Sequence, residues 1–394
     1  MMREEDDRLK PLDYINLCYI WLSSYPRLHK VWNSQGQRSA SSHQAGIRVN
    51  YGFDRVPGPD EHVFGGLVKL QDLNSEFPHC TSQPNILYLV SSALPYFPIR
   101  LAKMARQAGA KIVVNQNGVA YPGWFGKGWQ RANRSMAYLH SIADYVFYQS
   151  DFCRLSAERF LGERSGLPSE ILYNPVDTDA FSPSSERTLG RKGIVLLLSG
   201  SHWSRYRVNT ALEALRKVRL HNQQVSLKIA GRFCWCADKE QALKEVKAYA
   251  SQLGIAEHVQ ITGPYTQEEA PALLNSCSIL LHTKYNDPCP RLVVEALACG
   301  LPVVYSATGG VPELVGESAG RGVSGPLDWE KDHPPNVDAL ADAVLQIASQ
   351  LPEYSVAARQ RAAHFLERTH WIERHREIFT ALLDDPLWSS TGKG

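Results

Sequence analysis

Short apolar runs separated by helix-length stretches set the rhythm of this chain. In the first half the runs are "INLCYIW", "NILYLVS", "KIVVNQNG", "DYVFYQS" and "EILYNPV", rich in β-branched and aromatic residues. Helical stretches separate several of them, "IRLAKMARQAG" after the second and "QRANRSMAYLHSIA" before the fourth. The second half repeats the scheme: "GIVLLLSG", a helix from about Asn209, "VSLKIAG", a helix from about Asp238, "HVQITG", a helix from about Gln267, "SILLHT", a helix from Arg291, and "PVVYS". Buried strands alternating with helices predict an α/β fold of two Rossmann-like, doubly wound parallel-sheet domains facing across a cleft. Several runs end at Gly or Asn, and open α/β sheets bind ligands at the carboxyl ends of their strands.

The periodicity breaks at "TDAFSPSSERTLGRKG", whose Pro, Ser, Gly and charge mark a linker. The expected division is a first domain over 1–183, a linker over 184–190, a second domain over 191–365, and a C-terminal helix over 366–394 that crosses back to the first. The segment from Tyr25 to His62, containing "NSQGQRSASSHQ", reads as a long irregular excursion. Beyond Pro352 the pattern is helical to about Asp384.

Composition narrows the class. A hydrophobic content of 44% with 21% charged residues is that of a soluble globular chain, and a net charge of +2 gives no global field for nucleic acid. The apolar runs are too short to span a bilayer, and the acidic start "MMREEDDRLKPLD" is the opposite of a secretory signal. Eight scattered cysteines, with Cys277 and Cys299 in apolar segments, fit a reducing cytoplasm, and contact with the inner face of a membrane stays open. Cys234 and Cys236 form a CxC without a second pair, so no zinc site is expected.

Candidate chemistry centres on "NDPCPRLVVEALACGLPVV", Asn286 to Val304. It reads as a loop, a helix starting after Pro290, a stop at Gly300 and a buried strand. A helix N-terminus at a strand's carboxyl end offers unpaired N–H groups and partial positive charge suited to phosphate. Glu295, about one turn in, could accept both hydrogen bonds of a ribose diol, and an exposed acid favoured by the helix dipole reads equally well.

Acid, seven residues, acid, then "EALACGLPVV" and "TGGVPELV" closely resembles the nucleotide-sugar motif of glycosyltransferase family four, retaining enzymes of the GT-B fold. The segment "YQSDFCRLSAERFLGERSGLPSEILYNPVDTDAF" resembles that family's exit from the first domain. The resemblance covers roughly Ile86 to Val315. It implies that Glu295 holds the donor ribose, that Asp287 approaches the transferred sugar, and that amides near Cys289, Arg291 and Leu292 cradle sugar and diphosphate. The family usually has Glu at the first acid and glycines after it; here stand Asp287, Pro288 and Pro290. Each proline removes an amide donor.

The same resemblance places an Arg and a Lys after the first strand of the second domain, where this chain has Ser201 and Tyr206. Arg205 and Arg207 flank the second position, and one or both are expected to substitute, since guanidinium forks suit phosphate oxygens, although a solvated pair at a helix start would read the same. Gly65 and Gly66 match a glycine pair that lets the backbone approach donor or acceptor, although a tight turn alone would also explain them. Asn117 stands where many relatives carry a sugar-contacting His; it can position but not move protons. "YPGWFGKGWQRANR" interleaves Trp124, Phe125 and Trp129 with Lys127, Arg131 and Arg134, a pattern for sugar rings beside an anionic acceptor or membrane, or for a core beside a solvated face. The "DTD" at Asp177 to Asp179 resembles a metal-binding triplet of another fold but sits at the domain exit, and reads as a turn. The function so implied is transfer of a sugar from a nucleoside diphosphate donor to a hydroxyl of a glycan, lipid-linked or small-molecule acceptor in polysaccharide or glycoconjugate synthesis, with no metal or cofactor and no nucleic-acid partner. An inactive relative that binds nucleotide, and an epimerase or phosphorylase on the same fold, stand as alternatives.

Overall fold

The structure is a computed structural model and describes residues 31–32 and 46–384, apart from 59–60, 62, 64 and 185–192. The "INLCYIW" run, most of the Tyr25–His62 excursion and nearly all of the 184–190 linker lie outside the described residues.

The first half holds β1 (Val49–Asn50), α1 (Gly66–Asn74), β2 (Ile86–Val90), α2 (Pro98–Gln107), β3 (Lys111–Gln116), α3 (Pro122–Phe125), α4 (Trp129–Ile142), β4 (Tyr145–Tyr148), α5 (Asp151–Leu161) and β5 (Ser169–Ile171). Its strands form one parallel sheet in the order β1-β2-β3-β4-β5. Because strand side chains alternate, each run feeds two cores. Leu87, Leu89, Ile112, Val114, Val146 and Tyr148 pack toward α2, α4 and α5. Ile86, Tyr88, Val90, Val113 and Phe147 pack on the opposite face.

The second half holds β6 (Ile194–Leu198), β7 (Ser201–His202), α6 (Tyr206–His221), β8 (Val225–Ala230), β9 (Arg232–Phe233), α7 (Lys239–Gln252), β10 (Val259–Gly263), α8 (Ala270–Asn275), β11 (Ile279–His282), α9 (Arg291–Ala298), β12 (Val303–Ser306), α10 (Val311–Val315), β13 (Gly320–Val323), α11 (Val337–Ser349), α12 (Leu351–Phe365) and α13 (Arg368–Asp384). The main sheet runs β10-β8-β6-β11-β12-β13, all parallel. Strand order therefore reverses between β6 and β11, which opens a crevice beyond their carboxyl ends. Leu196, Leu198, Ile279 and Leu281 face one core with α6, α7 and α11, while Leu197, Leu280 and Val303 face another with α9, α10 and α12. Each such fully buried aliphatic side chain contributes about 1.5–3 kcal/mol.

The last helix, α13, brings Trp371, Ile378, Phe379 and Leu382 against the first sheet, in the core that α1 also covers. The two chain crossings between the halves run side by side: Val176 N–H donates to Leu366 O at 2.8 Å, and Arg368 N–H to Val176 O at 3.0 Å.

Several sequence expectations shift. The helix placed from about Gln267 is regular only from Ala270: Thr266 and Glu269 form a capping box that opens a first turn at Gln267 (Thr266 N–H to Glu269 Oε2, 2.7 Å; Glu269 N–H to Thr266 Oγ1, 3.3 Å), but Pro271 has no N–H to bond back to that turn. The helix placed from Asn209 begins at Tyr206. Within the supposed irregular excursion, Val49–Asn50 is an edge strand paired with β2. The strand β13, "GRGV", carries no apolar pattern that could announce it.

Candidate donor site between the two lobes

The crevice at the β6–β11 reversal is where the acidic loop lands. β11 ends at His282, and the chain then turns through Asp287 to Pro290, the residue that precedes α9. This loop is built against "TGG". Gly309 holds φ +74°, and a Cβ there would fall 2.4 Å from Asp287 O; one on Gly310 would fall 2.0 Å from Pro288 O. Only glycines let the two backbones pass so closely.

Asp287 is 7% exposed. His282 Nε2 lies 3.0 Å from Asp287 Oδ2, and Lys284 Nζ 3.1 Å from Oδ1. Burial alone would raise its pKa, but the Lys284 ammonium and the His282 hydrogen bond outweigh that and hold it well below the carboxylate range. Burial lowers the His282 pKa against the pull of Asp287. His282 is thus a neutral ring whose Nε2–H donates, and Asp287 is a carboxylate with its orientation fixed from both sides. Arg207 is buried beside this group; its Nη1 donates to Ser201 O at 2.7 Å, and its Nε has no partner among the described residues. Burial lowers the Arg207 pKa and Asp287 pulls it back up. Arg205 stands apart: half exposed, it pairs with Glu245 of α7 at 3.4 Å. Tyr206 donates no charge but holds the loop, its hydroxyl accepting from Tyr285 N–H at 3.0 Å.

Glu295 is 5% exposed, one turn into α9. Its Oε1 accepts from Arg291 Nε at 2.9 Å and from Gln267 Nε2 at 2.8 Å, while Oε2 carries no bond among the described residues. The amides of Arg291 and Leu292 lie in the first turn of α9, where helix geometry provides no acceptor. Cys289 is buried, and burial pushes its thiol up to about 12, so it remains protonated.

The first lobe meets this loop directly. Ser150 Oγ donates to Pro288 O at 2.7 Å, Asn174 Nδ2 to Cys289 O at 2.6 Å, and Arg291 Nη1 lies 3.4 Å from Asp72 Oδ2 on α1. Glu313 of the second lobe accepts from Asp151 N–H and Phe152 N–H, capping α5 from outside (2.7 and 3.2 Å). Asn117 follows β3; its N–H donates to Ser91 Oγ at 2.8 Å, and a Cβ on its neighbour Gly118 would come 2.9 Å from Pro288 Cγ. Gly65 precedes α1 with φ +54°, and Gly66 packs where a Cβ would meet Val90 and Ser92. Trp329 inserts from the second lobe between Tyr121 and Phe152, ring centroids 5.0 Å from each, and Gly123 N–H donates to its carbonyl.

The fold thus gathers the buried Asp287, Arg207, Cys289 and Glu295 with the half-buried Arg291 and Leu292, and sets the Asn117 loop and Asp72 of α1 against them. In the "DTD" triplet, Asp177 Oδ1 caps a turn by accepting from Asp179 N–H and Ala180 N–H, and Asp177 pairs with Arg368. Sequence reasoning missed His282, Lys284, Gln267 and Lys69. Lys284 had a local signal, three residues before the first acid. Gln267 had none, since its approach to Glu295 depends on how β10 and α8 pack.

Comparison with known proteins bears on the fold and the class of enzyme. Residues 184–364 match the family model for glycosyl transferases group 1. The chain is 27% identical over 313 residues to the GDP-mannose-dependent alpha-(1-6)-phosphatidylinositol monomannoside mannosyltransferase of Mycolicibacterium smegmatis, covering 74% of this chain and 71% of that protein. It is 30% identical over 185 residues to the D-inositol 3-phosphate glycosyltransferase of Corynebacterium jeikeium, where the match covers 43% of this chain and spans less than half of the relative, 42%. Among solved structures, sucrose-phosphate synthase of Thermosynechococcus elongatus aligns with TM-score 0.60 at 14% identity, over 79% of this chain and 76% of that one. HepE of Anabaena in complex with UDP-glucose aligns with TM-score 0.58 at 19% identity, over 76% and 79%. At such identities the structural likeness speaks for the fold, which is GT-B.

Proposed function

We propose that this chain, a glycosyltransferase whose residues 184–364 match the family model for glycosyl transferases group 1, moves a sugar from a nucleoside diphosphate donor to an acceptor hydroxyl with retained anomeric configuration. The observation that carries the reading is Glu295: a buried carboxylate, one turn behind an amide-bearing helix tip at the inter-lobe crevice, with one oxygen uncommitted. In this reading Oε2 takes the ribose diol, and the first-turn amides of α9 take phosphate. Asp287, held ionised by Lys284 and His282, accepts hydrogen bonds from hydroxyls of the transferred sugar. Asn117 positions the same sugar from the opposite lobe. The acceptor hydroxyl attacks on the face that the diphosphate leaves, and the leaving phosphate takes its proton. The protein acts by holding the pair together and stabilising phosphate charge. Enclosure between the lobes limits hydrolysis by water.

The acceptor side carries its own signal. Between Phe77 and Ala143 the chain has no Asp or Glu but seven Lys or Arg, in a protein of net charge only +2. Arg100, Lys103 and Arg134 line an open groove of about 690 Å³ on the first lobe, with the exposed Tyr96 at its edge. This supports an acceptor bearing phosphate or another anion, for which the names of the two relatives, one acting in phosphatidylinositol mannoside synthesis and one on D-inositol 3-phosphate, supply a precedent. Glycoconjugate synthesis at an anionic membrane face fits such an acceptor.

The test is incubation with UDP-, GDP- and ADP-sugars in the presence of candidate anionic acceptors. Acceptor-dependent release of nucleoside diphosphate, with a product of the donor's anomeric configuration by NMR, is expected. Donor binding without turnover across all pairs would favour the inactive relative, and a free sugar-nucleotide isomer or sugar phosphate would favour the epimerase or phosphorylase.

A further inference from the structure

Lys69 lies on α1, one turn before Asp72, on the face that fronts the entry to α9, and is 5% exposed. Among the described residues its one bond is to a neutral amide, Asn115 Oδ1, at 3.2 Å, and that oxygen is shared with Gln149 Nε2 at 2.6 Å. An ammonium has three donors, so two are unused. No carboxylate lies within ion-pair distance of Lys69 among the described residues: the nearby Asp72 is already engaged by Arg291 and Arg368. A buried, uncompensated ammonium is costly, and a fold retains one where a charge arrives from outside. Gln149, which shares Asn115 Oδ1 with Lys69, also has a buried Oε1 without a partner among the described residues.

In the second lobe Ser201 and Tyr206 stand at the expected basic positions and Arg205 is drawn to Glu245, while the cations that do reach the site are already engaged: Lys284 pairs with Asp287, Arg207 lies beside it, and Arg291 pairs with Glu295 and Asp72. A diphosphate that develops charge as the sugar departs draws less from cations already paired with carboxylates than from one that is unpaired.

We propose that Lys69, supplied by the first lobe, binds the donor's diphosphate across the inter-lobe gap and adds an unpaired cation to the paired ones of the second lobe. The proposal rests on the donor-site reading above. It makes phosphate binding depend on both lobes, so that the donor itself draws α1 and α9 together. Burial, against the Cys289 and Cys153 thiols and Asp72 and with Arg291, lowers the Lys69 pKa to about 8. Those groups, with the buried His375 of α13, are the titratable and charged groups that face it. Near pH 8 the side chain is part neutral, and a phosphate would recharge it by taking up a proton.

The experiment is calorimetry of the full chain with GDP, UDP and their monophosphates at pH 8 in two buffers of different ionisation heat, for wild type, Lys69→Met, Lys69→Arg and Glu295→Gln. In wild type, diphosphate binding is expected to take up protons. Lys69→Met should lose that uptake and bind the tighter nucleoside diphosphate at least tenfold more weakly, with a smaller loss for the monophosphate. Lys69→Arg should recover part of the affinity. The sign of the stability change separates binding from structure. A Lys with a lowered pKa penalises the fold below that pKa, and the penalty fades as pH rises toward the unfolded value. Unliganded Lys69→Met should therefore melt at or above the wild-type temperature at pH 7. Diphosphate binding and proton uptake unchanged in Lys69→Met, while Glu295→Gln weakens binding, would overturn the role of Lys69 and leave the donor site standing. Absence of binding by wild type to any of the nucleotides would overturn both.

Discussion

Glu295 and Asp287 are both buried acids, yet their surroundings assign them different work. Glu295 shares one oxygen between Arg291 and Gln267 and keeps the other for a ligand. Replacing it by Gln should remove a charge-assisted bond of about 1.5–3 kcal/mol, so donor affinity falls by about tenfold or more while the circular dichroism spectrum is unchanged. Asp287 is held by Lys284 and His282, and its depressed pKa is a statement about stability. A carboxylate with a lowered folded pKa stabilises above its unfolded value, about 3.9, and that contribution is lost as pH falls through the folded pKa. Urea denaturation at pH 7 and pH 3 should show a smaller acid-induced loss in Asp287→Asn than in wild type. The first acid was legible in the sequence through its spacing to Glu295 and the "TGG" downstream. Its partner His282 was not, because a His ending an apolar strand looks the same whether or not a carboxylate folds back onto it.

At the scale of elements, α9 does the most for the site, and its sequence announces it: good helix formers behind Pro290, with a glycine stop at Gly300. What α9 packs against was not announced. Its entry loop is clasped by Ser150 and Asn174 of the first lobe, and Trp329, from the segment after β13, completes the clasp by wedging between Tyr121 and Phe152. Trp329 is 7% exposed, so Trp329→Ala should cost about 3–5 kcal/mol of the denaturation free energy. Because its neighbours belong to the other lobe, the variant should also raise the donor KM. Thermal unfolding and steady-state kinetics on one preparation would read both; an unchanged KM would confine Trp329 to a packing role. The helix α13 teaches a similar lesson. Its periodicity shows a helix, but its placement under the first sheet depends on Trp371, Ile378, Phe379 and Leu382 finding the apolar face beside α1.

For the whole molecule, charge is distributed in a way that the net value hides. The stretch from Phe77 to Ala143 carries no acid, and three of its cations, Arg100, Lys103 and Arg134, line one groove of the first lobe. No helix among the described residues is long and apolar enough to cross a membrane. Co-sedimentation with vesicles containing anionic lipid should exceed that with neutral vesicles, should weaken as salt rises, and should fall several-fold in Arg100→Glu/Lys103→Glu, since each juxtamembrane cation contributes about 1 kcal/mol. Equal binding to neutral vesicles would remove the anionic surface from the reading. By itself the sequence determined the alternation of buried strands and amphipathic helices, the glycines that let the loop at Asp287 pass over Gly309, and the acid pair flanking a helix tip. These are local matters of period, backbone freedom and spacing. Only the tertiary structure decided that β6 and β11 lie adjacent, that Arg205 leaves the site while Arg207 enters it, and that Lys69 comes to face α9 from the other lobe. Such meetings depend on packing between segments far apart in the chain, where no pattern of neighbouring residues can record them.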